Sequence, residues 1–257
     1  MMATAELLSI LSVIAYFIPL CGFMVRYARS LWSTYLYFAA FCVLRIACYS
    51  VSAYYTSPAV EYPSIRYLHF YIAKITLNTI GAITMMIAIG ELYKSIMPKI
   101  HHHHNHLRTN FEKFAFHHIR VPFIPFAACF IAGCILASPT YSPAKQHNGD
   151  ILRKFSIVVL LAINTLFMYI ASTHSYKYPA HRNAFVINFT STAFFTVAVI
   201  YNIVITYNVS TGDYVWPAFA FAVVPELCSL AILSADLQTY FLGHKSDEIM
   251  TDSKEQV

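Results

Sequence analysis

"YFAAFCVLRIACYSVSAYY", Tyr37 to Tyr55, decides how the chain is read. It is apolar almost throughout and about as long as the roughly 20 helical residues that cross a hydrocarbon layer. Yet Arg45 stands in its middle. A charge at that depth costs at least about 2.5–3.5 kcal/mol on insertion scales. If the stretch is a membrane helix, another segment must supply what neutralises the guanidinium.

The rest of the chain reads as membrane protein. Of its 257 residues, 58% are hydrophobic and 11% charged, where a soluble domain carries about 25% charged residues. The apolar residues fall in long blocks separated by short polar stretches, the pattern of a polytopic protein. The net charge of +5 comes from Lys and Arg between the blocks, so membrane topology explains it and nucleic acid is not an expected partner. The six cysteines all lie inside apolar blocks; they read as small packing residues, without a disulfide framework or a metal site. The opening "MMATAE" has no basic n-region and contains the acidic Glu6, so the first block is expected to stay as a helix rather than be cleaved as a signal peptide.

Seven blocks are long enough to be helices: about 7–25, 35–55, 67–90, 121–138, 155–173, 184–207 and 214–241. Barrel strands would alternate apolar and polar over about ten residues; these blocks are continuously apolar for twice that. The fold class is therefore all-α, a seven-helix membrane bundle over residues 1–243, with 244–257 as a disordered cytoplasmic tail. Pro225, in the middle of the seventh block, is expected to kink it.

Lys and Arg counts orient the bundle. With the N-terminus outside and the C-terminus in the cytoplasm, the inner segments hold Arg26, Arg29, Lys94, Lys99, Arg108, Lys113, Arg120, Lys177, Arg182, Lys245 and Lys254. The outer ones hold only Arg66, Lys145, Arg153 and Lys154. The sequon at Asn208 falls in an outer loop and that at Asn188 inside the sixth helix. No internal repeat is visible, which argues against the paired broken helices of repeat transporters. The longest loop, about 94–120, carries "HHHHNH" and, from Leu107 to His118, a short amphipathic pattern suited to the cytoplasmic leaflet. Its histidines read as a solvated tract rather than a defined metal site.

Four charged residues, counting Asp, Glu, Lys and Arg, lie within the blocks: Arg45, Lys74, Glu226 and Asp236. At 1.5 Å per residue, Arg45, Lys74 and Glu226 lie roughly 14, 10 and 18 Å below the outer ends of their helices. Long side chains bridge such offsets, so Glu226 is expected to pair with Arg45, with Lys74 nearby. Asn78, four residues after Lys74, shares its face. Two cations against one anion leave a charge near +1, suited to an anionic head group such as a lipid phosphate or a carboxylate. Arg45, Lys74, Asn78 and Glu226 are the expected substrate-binding residues. In the sixth block Asn188, Ser191, Thr192, Asn202 and Thr206 share one stripe, and Asn164 adds an amide in the fifth; these read as interhelical hydrogen bonding.

Several seven-helix classes are excluded by their residues. The seventh block has no lysine for a retinal Schiff base. "GELYKS" and "VVPELCSL" stand where rhodopsin-like receptors carry D/E-R-Y and N-P-x-x-Y. Zinc hydrolases of the membrane need intramembrane histidines, and only His69 approaches one. The aromatic-x-x-x-Arg-Ile pattern in "FCVLRI", Phe41 to Ile46, and the acidic residue of "VVPEL" resemble an uncharacterised family of small fungal seven-helix proteins. More loosely, the length, topology and arginine of helix two resemble fungal lipid-translocating exporters linked to resistance to toxic sterols and long-chain bases, although Gly-Tyr before Arg45 and His-Pro after helix seven are missing. That resemblance implies transport of a lipid-like or amphipathic molecule.

The expectation is thus a non-enzymatic multi-pass protein of the plasma membrane or an endomembrane, with no cofactor. Its partners are membrane lipids and a lipid-like or amphipathic ligand. A receptor-like sensor and a purely structural membrane protein are the alternatives.

Overall fold

The computed structural model describes residues 2–55, 65–103, 123–137, 141–207, 215–234 and 237. Among them every regular element is helical. The helices are α1 (Met2–Ser30), α2 (Ser33–Tyr55), α3 (Ile65–His103), α4 (Phe123–Leu136), α5 (Pro143–Lys177) and α6 (Arg182–Tyr207). The seventh, α7, is built from Val215–Ala218, a π-helical turn Phe219–Val223, and Val224–Leu233. Six of these are long and apolar enough to cross a membrane. The described part of α4 has 14 residues, about 21 Å of helix, which is short of the roughly 30 Å of hydrocarbon.

Consecutive helices pack on one another, and α7 returns to α1, closing the bundle. The α1–α2 corner is tight. Leu31 takes a left-handed conformation, φ 54°, and its N–H reaches back to the Tyr27 carbonyl at 2.7 Å. A side chain rarely adopts this conformation outside a helix C-cap. Trp32 then donates its N–H to Ser30 Oγ at 3.3 Å.

The distribution of side chains is that of a protein in lipid. Leu7, Ile10, Leu11, Ile14, Phe17 and Ile18 of α1 all face outward. Phe38, Phe41, Met85, Met86, Phe185 and Phe195 fill the centre together with buried Arg45, Asn164, Asn188, Thr192 and Glu226. In lipid, apolar contact gives no net drive between helices, so packing and interhelical hydrogen bonds hold them. Many hydroxyls are absorbed locally: Ser12, Thr79 and Ser156 each donate to the carbonyl one turn back at 2.8–2.9 Å.

Several helix limits differ from those expected from hydropathy. α5 begins at Pro143 rather than near 155, so Arg153 and Lys154 lie on a helix and not in an outer loop. α3 runs on to His103, taking in Lys94, Lys99 and the first histidines of the tract. α1 extends beyond both its expected ends, to Met2 and Ser30. Hydropathy marks where a helix meets hydrocarbon; it is silent about helical turns that continue into water. The tail at 244–257, the amphipathic pattern from Leu107 to His118, the sequon at Asn208, and Asp236 lie outside the described residues.

Candidate functional site

Arg45 is fully buried at the middle of α2. Its Nε donates to Glu226 Oε2 at 2.7 Å, and its Nη2 donates to Glu226 Oε1. This is the two-pronged arrangement in which a planar guanidinium matches a carboxylate. Its Nη1 donates to the backbone carbonyl of Asn78 at 3.0 Å and also to the Asn78 Oδ1. One turn earlier on α2, the ring of Phe41 lies 5.0 Å from Cζ, a cation–π distance. The guanidinium can approach α3 this closely because Gly81 has no side chain: a Cβ there would stand 3.3 Å from Nη1.

The pair anchors a wider network. Tyr16, at the centre of α1, donates its hydroxyl to Glu226 Oε2 at 2.5 Å. Its ring stacks on Tyr49 of α2, with centroids 5.8 Å apart. On the other side, Asn78 Nδ2 donates to Asn202 Oδ1 at 3.1 Å, and Asn202 Nδ2 donates to the Ala198 carbonyl at 2.9 Å. The chain Tyr16–Glu226–Arg45–Asn78–Asn202 therefore ties α1, α7, α2, α3 and α6 into one buried set of bonds.

A feature of the α7 backbone leads into Glu226. Pro225 has no N–H to give to the carbonyl four residues back. The preceding turn widens instead, and the Val224 N–H bonds to the carbonyl of Phe219, five residues back. Each such insertion rotates the remainder of the helix by about 100°, the angle of one residue. The expected disturbance at Pro225 thus takes the form of a π turn just before the buried carboxylate. Such turns are frequent at functional sites.

Arg45, Asn78 and Glu226 therefore converge, as three of the four expected residues. Lys74 differs. It is half-buried, and its backbone carbonyl accepts from Cys48 Sγ at 3.5 Å. Arg45 and Tyr16 bond the Glu226 carboxylate. The core of the cluster is thus the two-pronged Arg45–Glu226 pair, with Lys74 one turn before Asn78 on α3. Charge reasoning misses Tyr16, because a hydroxyl in an apolar run carries no charge signal. It finds Asn202 only as part of a stripe, since the partner lies 124 positions away.

A second polar layer lies one turn further along α7. Ser191 and Ser229 share a hydrogen bond of 2.7 Å, joining α6 to α7. Thr192 Oγ1 donates to the Asn188 carbonyl, and Asn164 Nδ2 donates to Thr196 Oγ1 at 2.6 Å, joining α5 to α6. The Nδ2 of Asn188 and the Oδ1 of Asn164 are buried without a hydrogen-bond partner among the described residues. A separate ionic group sits near the start of α5: Asp150 pairs with Arg153 at 2.8 Å and Lys154 at 2.5 Å. Arg153 also donates to the Thr206 carbonyl at 3.3 Å.

Among the described residues, an all-helical bundle with six membrane-length apolar helices, an apolar exterior and a buried charged network defines a multi-pass membrane protein. Over residues 2–236 the chain matches the family described as a domain of unknown function, DUF7702, and it belongs to that family. The match takes in both Arg45 and Glu226. Comparison with curated proteins gave no match. Comparison with solved structures gave none either.

Proposed function

We propose that this protein moves a lipid-like or amphipathic molecule through or along its helix bundle, with the Arg45–Glu226 pair as the internal lock. The observation that carries this reading is the pair itself. Its desolvation cost is several kcal/mol per ion, and well-packed apolar residues would hold helices together without it. The π turn beside Glu226 supplies a backbone element able to change register. The loose resemblance of helix two and the overall topology to lipid-translocating exporters points the same way. Within this reading Arg45, Asn78 and Glu226 meet the polar head of the substrate when the lock opens, and Lys74 serves its approach.

Reconstitution into phosphatidylcholine liposomes tests it. The purified protein should speed transbilayer movement of short-chain fluorescent lipids over protein-free vesicles, and Glu226→Gln should slow it. Equal rates for both vesicle types with probes of every head-group charge would overturn the reading. The orientation proposed is N-terminus outside and C-terminus cytoplasmic, supported by the Lys and Arg bias; a C-terminal reporter active only in the cytoplasm checks it.

A structural role is the second reading. The near-saturation of the guanidinium by Glu226 and Asn78 favours it. It expects no bound lipid in stoichiometric amount when the gently purified protein is weighed by native mass spectrometry. It also expects Arg45 and Glu226 variants to alter folding alone.

A further inference from the structure

From Glu226, buried polar side chains continue along the facing sides of α7 and α6. α6 and α7 run antiparallel: Tyr201 stacks on Phe221 and Ser191 bonds Ser229, so rising numbers on one meet falling numbers on the other. Ser229 lies three residues past Glu226 on α7, and Asn188 lies three residues before Ser191 on α6. Each step is about 4.5 Å along the axis and stays on one helix face. Glu226, the Ser191–Ser229 bridge and Asn188 thus form a polar string at the α6–α7 seam. All four side chains are at most 1% exposed. The string ends on the Asn188 Nδ2, which has no partner among the described residues. A buried amide donor of that kind is matched by water where the site is polar. Intramembrane proton relays are built on buried ionisable side chains such as Glu, and hydroxyls and water hydrogen-bonded beside one give the proton a route to it.

The groups facing Glu226 decide what a proton would do there. From α1 comes the phenol of Tyr16, already a donor to Oε2. From α2 come the Arg45 guanidinium and, within electrostatic reach, Cys42, Cys48 and Tyr49. α3 contributes the neutral Asn78 and, acting electrostatically on Cys48, the cation of Lys74. α6 contributes the neutral Ser191 side. Arg45 bonds the Glu226 carboxylate directly.

We propose that Glu226 is a proton-binding site, fed along Ser229, Ser191 and Asn188, and that its protonation frees Arg45 to hold the anionic head group of a transported amphipath. This rests on the transport reading above and names its substrate class and coupling. In the step, one proton from solvent bonds to a carboxylate oxygen of Glu226, and the charge-assisted bonds to Arg45 are given up. The guanidinium then takes the phosphate or carboxylate of the amphipath as its counter-ion. Loss of the proton restores the pair and expels the head group. One proton and one monoanionic head group enter together, so the loaded site carries no more net charge than the empty one.

The test uses the full chain in phosphatidylcholine liposomes, with fluorescent short-chain phosphatidylserine as the anionic probe and phosphatidylcholine as the zwitterionic one. Movement of the anionic probe should rise as the pH falls, by up to about tenfold per pH unit, the slope of a single titrating carboxyl. Glu226→Gln should remove that slope. The zwitterionic probe should show no slope in either protein. Anionic transport independent of pH overturns the inference and leaves the transport reading standing; no transport of any probe overturns both. Infrared difference spectra of the wild-type protein give a readout independent of flux. A protonated-carboxyl C=O band should grow on acidification and be missing in Glu226→Gln, and Asn188→Leu should slow its hydrogen–deuterium shift. A band that persists unchanged in Glu226→Gln overturns the assignment even if that variant transports poorly.

Discussion

Two ionic groups in this molecule use the same chemistry to opposite ends. Arg45 and Glu226 lie 181 positions apart, on α2 and α7, and neither side chain is more than 1% exposed. Asp150, Arg153 and Lys154 lie within four positions of one another on α5, with side chains 14–33% exposed. The near group pairs its charges within one helix where solvent already screens them, and it touches α6 only at its end, through the Thr206 carbonyl and the Tyr207 ring, 5.2 Å from Lys154. The far pair has no such screening, and each member is the other's condition for being buried. Separation and burial, rather than the presence of opposite charges, make a pair organise a fold.

That comparison can be broken most forcefully at Glu226. Glu226→Leu leaves Arg45 buried without its carboxylate, and should cost about 3–5 kcal/mol, the range for one-sided loss of a buried pair. Thermal unfolding in detergent measures it. The double change Arg45→Leu with Glu226→Leu should recover much of the loss, and strictly additive losses would show that the two do not act as a pair. Tyr16→Phe removes one charge-assisted hydrogen bond and should cost about 1.5–3 kcal/mol; a melting temperature equal to that of the wild type would remove α1 from the network.

Beside the near group the sensitive residue is a glycine rather than a charge. A Cβ on Gly149 would stand 2.4 Å from the Ala137 N and 2.7 Å from the Gly133 carbonyl, where α4 and α5 cross. Gly149→Ala should therefore destabilise by about 1–3 kcal/mol through overpacking. Denaturation that leaves the Arg45 region intact, combined with cysteine accessibility at Cys134 against Cys42, would localise the damage to that crossing. Asp150→Asn should have the smallest effect, about 0.3–0.5 kcal/mol as for an exposed pair one turn apart on a helix. High salt should shrink it further. An effect as large as that of Glu226→Leu would erase the distinction between the two regions.

The same division governs how much of the molecule is legible in its residues. The spacing that joins Asp150 to Arg153 and Lys154 is local, yet hydropathy places that charged run in a loop; a helix that leaves the membrane keeps its hydrogen bonds while losing its hydropathy. Glu226 as the partner of Arg45 is legible because each is costly in lipid and depth can be counted along a helix. Lys74 shows the limit of that count. It sits at a compatible depth and shares a face with Asn78, yet Asn78 meets the guanidinium while the Lys74 backbone meets Cys48. Depth fixes one coordinate; rotation about the helix axis is set by neighbours such as Gly81, which lets Arg45 settle against α3.

The sequence by itself determined that the chain is a bundle of membrane helices and that Arg45 and Glu226 need each other, because apolar length and buried charge are costs each residue carries wherever it is placed. Only the tertiary structure decided that the guanidinium grips the carboxylate with two prongs, that Tyr16 and Asn202 extend the network, and that a π turn ahead of Pro225 leads into the carboxylate. Those depend on how five helices rotate and pack against one another, and the hydrogen bonds that fix the rotation join residues up to 210 positions apart.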